Sequence, residues 1–250
     1  MAVMGITAFK ERFKDYDDCY TIIGGTACDI LMAEEELDFR ATKDIDMIIL
    51  LEDRYREFAE VFWAFIKEGG YRCGWKRRDK AHFYRFTEPR KGYPVQIELF
   101  SRKPDYHLEI ESGVVPIYID DVSSLSVIML NDDFYNFMMD GRKSINGISV
   151  LCAEYIIPFK MYAWLNLKEQ KRIGEHVNSK DLRKHKYDVF RLLQIVPAGA
   201  KVKTTGTVKD TIYSFLSCIQ EESLDIGSLG VEFSQDQGIE FLRQIYQIQT

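Results

Sequence analysis

The sequence predicts an α+β fold: an amino-terminal part mixing helices and strands, then a helical carboxy-terminal part, with the boundary near residue 150. Three observations predict it. Of the 250 residues, 46% are apolar and 29% charged, the balance of a chain with a packed core and a wet surface. Up to residue 151, short β-prone runs alternate with stretches of helical periodicity. Beyond Cys152 the β-prone runs stop and helix-length stretches take over. No repeat, low-complexity tract or Pro/Ser-rich linker interrupts the chain, so the boundary is subtle and rests on the change after Cys152; the expected domains are 1–150 and 151–250.

The elements follow in order. Tyr20–Ile23 is a short β-prone run ending on Gly24-Gly25, and 26 to about 37 is compatible with a helix. Residues 45–51 form a strongly apolar strand. Residues 54–67 carry Phe58, Val61, Phe62 and Phe65 at helical spacing. Next come two alternating strands, 82–87 and 93–100, and Glu88-Pro89-Arg90-Lys91-Gly92 between them supplies the turn of an antiparallel hairpin. Short β-like pieces are expected at 114–119 and 148–151. Helices are expected at 153–167, at 179–193 with Ser179 as the N-cap, at 209–221 and at 237–246.

Several classes of function are disfavoured. The 33 basic against 39 acidic residues give a net charge of −6, which argues against a surface built throughout for nucleic acid, though not against a local basic patch. The five cysteines are scattered, with no CxxC pair and no histidine at ligand spacing, so reduced buried thiols are expected rather than disulfides or zinc. The first residues turn charged within ten positions, and no apolar run approaches the ~18 residues that a membrane span needs. A cytoplasmic protein is expected, without a membrane partner.

The chemistry concentrates in two stretches, Ile22-Ile23-Gly24-Gly25-Thr26-Ala27 and Arg40-Ala41-Thr42-Lys43-Asp44-Ile45-Asp46. Alternate residues of a strand face the same way, so Asp44 and Asp46 share a face while Ile45 points into the core. Two carboxylates side by side repel unless a cation lies between them, which makes the pair a candidate seat for Mg²⁺, with a solvated charge pair as the bland alternative. The sequence holds a control for this pattern: Asp15-Tyr16-Asp17 has the same spacing in a polar, helix-like region, where it reads as a solvated charge pair. Only the second pair is followed by an apolar run that buries its strand. Strand, Gly-Gly and helix in succession set unencumbered backbone N–H groups at a helix amino terminus, which suits a phosphate, though a tight turn is explanation enough for the glycines alone. Along 95–100, Val95, Ile97 and Leu99 take one face and Glu98 the other, where a neighbouring strand can aim it at the aspartates, though a polar outer face explains Gln96 and Glu98 equally well.

Gly24-Gly25 followed by Arg40-x-Thr42-x-Asp44-Ile45-Asp46 resembles the signature of the DNA polymerase β-like nucleotidyltransferases. The form with Gly-Gly-Thr-Ala is most similar to the AbiEii-type toxin branch of abortive-infection and toxin–antitoxin systems. The resemblance implies that fold, with a mixed sheet flanked by helices, and a helical domain closing the cleft. It implies Asp44, Asp46 and Glu98 as catalytic carboxylates holding two Mg²⁺, and Gly24, Gly25 and Thr42 as residues contacting a nucleoside triphosphate. In the helical half, Pro158-Phe159-Lys160-x-Tyr162-Ala163-Trp164 and Lys180-Asp181-x-x-Lys184-His185-x-x-Asp188 look like later motifs of that branch. They carry over Lys160, Lys184 and Asp188 as nucleotide-binding residues, with His185 beside them. The similarity covers roughly residues 20–195. Two departures are Gly-Gly where the superfamily more often has Gly-Ser, usual in this branch, and Glu rather than Asp as third carboxylate.

What the resemblance implies is transfer of a nucleoside monophosphate from a triphosphate to a hydroxyl of RNA, such as a transfer RNA 3′ end, or of protein, with an antitoxin as a further partner. The alternative is a non-catalytic nucleotide- or partner-binding module on the same fold. A dehalogenase-type phosphatase also uses Asp-x-Asp, but there the apolar strand precedes the pair. A metal-dependent nuclease has no need of the Gly-Gly turn. The run from Lys76 to Arg85 holds five basic residues interleaved with aromatics and has three readings: an RNA grip, a basic lining for the triphosphate, or a solvated hairpin guarding an edge strand.

Overall fold

The protein is α+β in the computed structural model, which describes residues 3–50, 54–75, 81–100 and 132–248, with backbone alone at 55–56, 73–75 and 81–84. The β-like piece expected at 114–119 and most of the basic run at 76–85 lie outside what is described. The described residues divide into two compact units. A sheet unit takes in the chain up to Phe100 together with Arg142–Leu151. A helical unit takes in 132–141 and the residues from Cys152 onward.

The sheet unit runs α1 (Ile6–Phe13), β1 (Tyr20–Ile23), α2 (Gly24–Glu34), β2 (Asp44–Ile49), α3 (Tyr55–Glu68), β3 (Arg72–Trp75), β4 (Ala81–Thr87), β5 (Gln96–Phe100), and later β6 (Arg142–Ile145) and β7 (Ile148–Leu151). One mixed sheet orders them β3-β4-β5-β2-β1-β7-β6. The expected hairpin is present as antiparallel β4 and β5. β2 lies between β5, to which it is parallel, and β1, to which it is antiparallel.

Period-2 alternation sorts the side chains of these strands onto two faces. One face carries Tyr20, Ile22, Met47, Ile45, Ile97 and Phe86, all buried. Helical spacing in α1 and α3 brings Phe9, Phe13, Phe58, Phe62 and Phe65 onto it as one aromatic cluster. Phe9 and Phe13 have ring centroids 4.5 Å apart, and Phe62 meets Phe86 at 5.4 Å. The opposite face carries Asp44, Asp46, Gln96, Glu98 and Arg85.

Two differences from the sequence expectation concern β6 and the Asp15-Tyr16-Asp17 stretch. β6 was not expected, yet Ile145-Asn146-Gly147-Ile148 contains an Asn-Gly pair with φ of 53° and 76°, the two positive values that a two-residue hairpin requires. Asp15-Tyr16-Asp17 lies in a turn after α1, not in a helix. Residues 142–145 are largely polar, and their place is secured by Arg142, whose Nε donates to Thr21 Oγ1 at 2.7 Å while Nη2 donates to the carbonyl of Asp17 at 3.0 Å.

The helical unit comprises α4 (Asp132–Asp140), α5 (Ala153–Arg172), α6 (Ser179–Leu192), α7 (Gly206–Gln220) and α8 (Gln235–Tyr246). α4 was not expected, although Phe134, Phe137 and Met138 are spaced for one buried helix face. Phe134 packs edge-on to Phe159 at 5.0 Å, which ties α4 to α5. Asp133 ties it to α7, since its Oδ2 accepts from the backbone N–H of Thr207 at 2.7 Å and so caps a helix start that Thr205 does not cap. The N-cap of α6 is Asn178, one residue earlier than expected; its Oδ1 accepts from the N–H of Lys180 at 3.0 Å, and Ser179 is the first helical residue. Ser234 and Gln237 close a reciprocal capping box at the start of α8. Among the described residues, no helix is long and apolar enough to cross a membrane.

Candidate active site at the Gly-Gly turn

β1 ends at Ile23 and α2 begins at once, so the chain must reverse within a residue. Gly24 achieves this at φ 69°, a left-handed conformation that residues with a Cβ adopt reluctantly. It is also where two segments come closest. A Cβ placed on Gly24 would lie 2.0 Å from Oδ2 of Asp46. On Gly25 a Cβ would lie 2.6 Å from Oγ1 of Thr42 and 3.6 Å from Nη2 of Arg40. The amino terminus of α2 is therefore walled by Asp46 on one side and by Thr42 and Arg40 on the other. Thr26 secures the arrangement, its hydroxyl donating to the carbonyl of Asp44 at 2.6 Å.

The sheet sets a second series of residues level with Asp46. Ile23 pairs with Asp46, Asp46 with Glu98, and Glu98 with Arg85, across four adjacent strands. Asp44 and Asp46 are half-buried on one face while Ile45 between them is fully buried. This is the alternation expected from the sequence. Glu98 stands beside Asp46, as the sequence predicts, but its carboxylate is occupied. Oε1 accepts from Nε of Arg85 in a close ion pair and from Nε2 of Gln96 at 2.9 Å. Among the described residues, no group of three or more His, Cys, Asp or Glu side chains is arranged to hold a metal ion.

Asp44 and Asp46 fit a hard divalent cation on two observations: both are carboxylates on one strand face, and the residue against Asp46 is a glycine that leaves its carboxylate uncovered by a Cβ. Glu98 as it stands is a salt-bridged carboxylate. Of the basic run with its three readings, Arg85 is the member whose side chain is described, and it turns to Glu98.

Lys160 and Asp188 form a group of their own in the helical unit. Lys160 is 4% exposed and Asp188 fully buried, with Nζ donating to Oδ2 at 3.0 Å. Nη1 of Arg191 reaches the other oxygen of Asp188 at 3.3 Å. A buried ion pair of this kind leaves little of the lysine's charge for an outside phosphate while the pair stands. Lys184 is half-buried one turn before Asp188, and His185 beside it is buried.

Sequence reasoning placed Arg85 only within the basic run, not opposite Glu98, and gave no role to Arg40 or Thr26. Arg85 was legible in principle, because the 88–92 turn fixes the hairpin register that sets it opposite Glu98. No protein-family model matches the chain, and no curated protein is significantly similar to it.

Proposed function

We propose that this chain is a Mg²⁺-dependent nucleotidyltransferase of the DNA polymerase β-like type, moving a nucleoside monophosphate from a triphosphate to an acceptor hydroxyl. The observation that carries this reading is the meeting of Gly24 with Asp46. A helix amino terminus that its N-cap side chain leaves uncapped and a paired-aspartate strand converge on one spot, the former suited to phosphate and the latter to its cation.

In this reading, the N–H groups opening α2 hold the triphosphate, with Thr42 and Arg40 alongside Gly25. Asp44 and Asp46 hold the metal. Bound Mg²⁺ supplies charge neutralisation at the phosphates and a lowered pKa for the attacking hydroxyl. The protein's part is to fix the carboxylates on a buried strand and to open α2 with glycines that add no side chain of their own, so that positioning costs nothing at the moment of reaction. The acceptor is an RNA or protein hydroxyl, and the AbiEii-type resemblance extends the reading to a toxin governed by an antitoxin.

The engaged state of Glu98 and of Lys160 favours a second reading, a nucleotide-binding module without turnover. One experiment separates them. Protein is incubated with Mg²⁺ and each α-³²P nucleoside triphosphate over total RNA and total protein, beside a folded Asp44→Ala/Asp46→Ala variant. Label that disappears in the variant, by several orders of magnitude in rate, establishes transfer and names the acceptor class. Triphosphate binding without label from any nucleotide supports the module. Absence of triphosphate binding defeats both readings.

A further inference from the structure

Arg85 is a cation that the proposed chemistry does not call for, held against a carboxylate that it does. The pair is not a loose surface contact. Arg85 and Glu98 are direct cross-strand partners on antiparallel strands, where side chains of opposite charge meet without bending either backbone. Glu98 is 13% exposed, and Gln96 braces the same oxygen from two residues away on its own strand. The next residue in the series is Asp46, on the far side of Glu98. Charges therefore run plus, minus, minus across three neighbouring strands, with the guanidinium at the outer end and Asp46 against the Gly24 turn.

We propose that Arg85 is a positioning residue: it serves as the internal counter-ion of Glu98 and keeps that carboxylate from binding a cation until an anionic phosphate draws the guanidinium away. The inference rests on the reading of Asp44 and Asp46 as a metal seat. It follows from charge balance. While Arg85 holds Oε1, Glu98 adds no net negative charge to the site, and a divalent cation meets the two aspartates alone. Arg85 is 39% exposed, so it can swing out from the sheet without unpacking a core. A triphosphate bearing several negative charges competes for the guanidinium better than one carboxylate does, and a bidentate phosphate contact suits arginine. Substrate thus converts Arg85 from counter-ion to phosphate partner and frees Glu98 in the same movement.

The test is Mn²⁺ binding by the full chain, followed by the electron paramagnetic resonance signal of the free ion at fixed ionic strength, first without and then with inorganic tripolyphosphate. Without tripolyphosphate, Arg85→Gln is expected to bind Mn²⁺ about tenfold more tightly than wild type, since a cation beside the seat has gone and Glu98 is released. The charge-neutral double variant Arg85→Gln/Glu98→Gln is expected to match wild type. It leaves no orphan charge, which keeps the comparison available if Arg85→Gln alone does not fold. Tripolyphosphate is expected to narrow the gap between wild type and Arg85→Gln. Equal Mn²⁺ affinity in wild type and Arg85→Gln overturns the counter-ion role and leaves the metal seat standing. A loss of tenfold or more in the double variant also overturns it, because Glu98 is then already a ligand in the wild type. If Mn²⁺ binds no form, or binds Asp44→Ala/Asp46→Ala as well as wild type, the metal seat itself fails and the counter-ion role with it.

Discussion

At the scale of single residues, Gly24 joins backbone strain and site chemistry in one place. A side chain at φ 69° costs about 1–2 kcal/mol in backbone strain. At 2.0 Å from Asp46 Oδ2, its Cβ would also push the carboxylate off the α2 terminus. Gly24→Ala is therefore expected to lower stability by about that amount and to weaken Mn²⁺ binding by more than tenfold, read by thermal unfolding and by metal titration on the same sample. Lost stability with unchanged Mn²⁺ affinity would mean that the glycine serves the turn alone. The two aspartates and the glycines were legible in the sequence because their signal is local: a doublet before a helix and an alternation before an apolar run. The burial of Lys160 against Asp188 was not. The two residues lie 28 positions apart on different helices, and a lysine at a helix face reads the same in sequence whether it meets solvent or a buried carboxylate.

At the scale of elements, α5 shows how one irregular residue recruits another element. Pro158 stands inside α5 and has no N–H, so the carbonyl of Glu154, four residues earlier, loses the partner that a regular helix provides. The hydroxyl of Tyr246, at the end of α8, donates to that carbonyl at 2.6 Å. The proline opens a gap in the ladder and the terminal helix fills it, which gives the last turn of α8 a structural task. Tyr246→Phe keeps the ring packing and removes only the donor. It is expected to cost about 1–3 kcal/mol, the penalty of an orphaned carbonyl, measured as a shift in the urea midpoint at unchanged slope. A shift within error would show that water replaces the hydroxyl. The elements themselves divide by the kind of signal they carry. Helices α3, α5, α6, α7 and α8 and strands β1, β2, β4, β5 and β7 have apolar periodicity of their own and were legible. Strand β6 has little, and its evidence lay in the Asn146-Gly147 turn beside it. The place of 132–141 in the helical unit was not legible, because the contacts of Asp133 with Thr207 and of Phe134 with Phe159 are made by residues distant in sequence.

At the scale of the whole molecule, both units bury groups that must stay protonated. Burial, with a hydrogen bond from its thiol to Asp18, pushes Cys19 up to about 12. Burial likewise raises Tyr71 in the sheet unit and, in the helical unit, lifts Tyr246 well above the ordinary phenol range. Each of these groups is neutral when protonated, and each has a folded pKa above its unfolded value. The folded chain therefore holds protons that the unfolded chain releases once pH passes ~8.5 for the thiol and ~10 for the phenols. Their stabilisation is complete below those unfolded values and is lost as pH climbs toward the folded ones. The melting temperature is accordingly expected to change little on account of these groups between pH 7 and about 8.5, then to fall steadily to pH 11. Calorimetry across that range, beside Cys19→Ala and Tyr246→Phe, assigns the loss. Removing the thiol flattens the early part of the fall, which belongs to the sheet unit. Removing the Tyr246 phenol takes away the helical unit's share of the later part and leaves that of Tyr71 in the sheet unit. Stability that holds level to pH 11 would show these groups to be reached by water in the folded chain. The hold of Arg85 on Glu98 is a cross-strand contact of the sheet and is expected to last as long as the sheet is folded. An alkaline loss of Mn²⁺ binding should then track unfolding and not precede it.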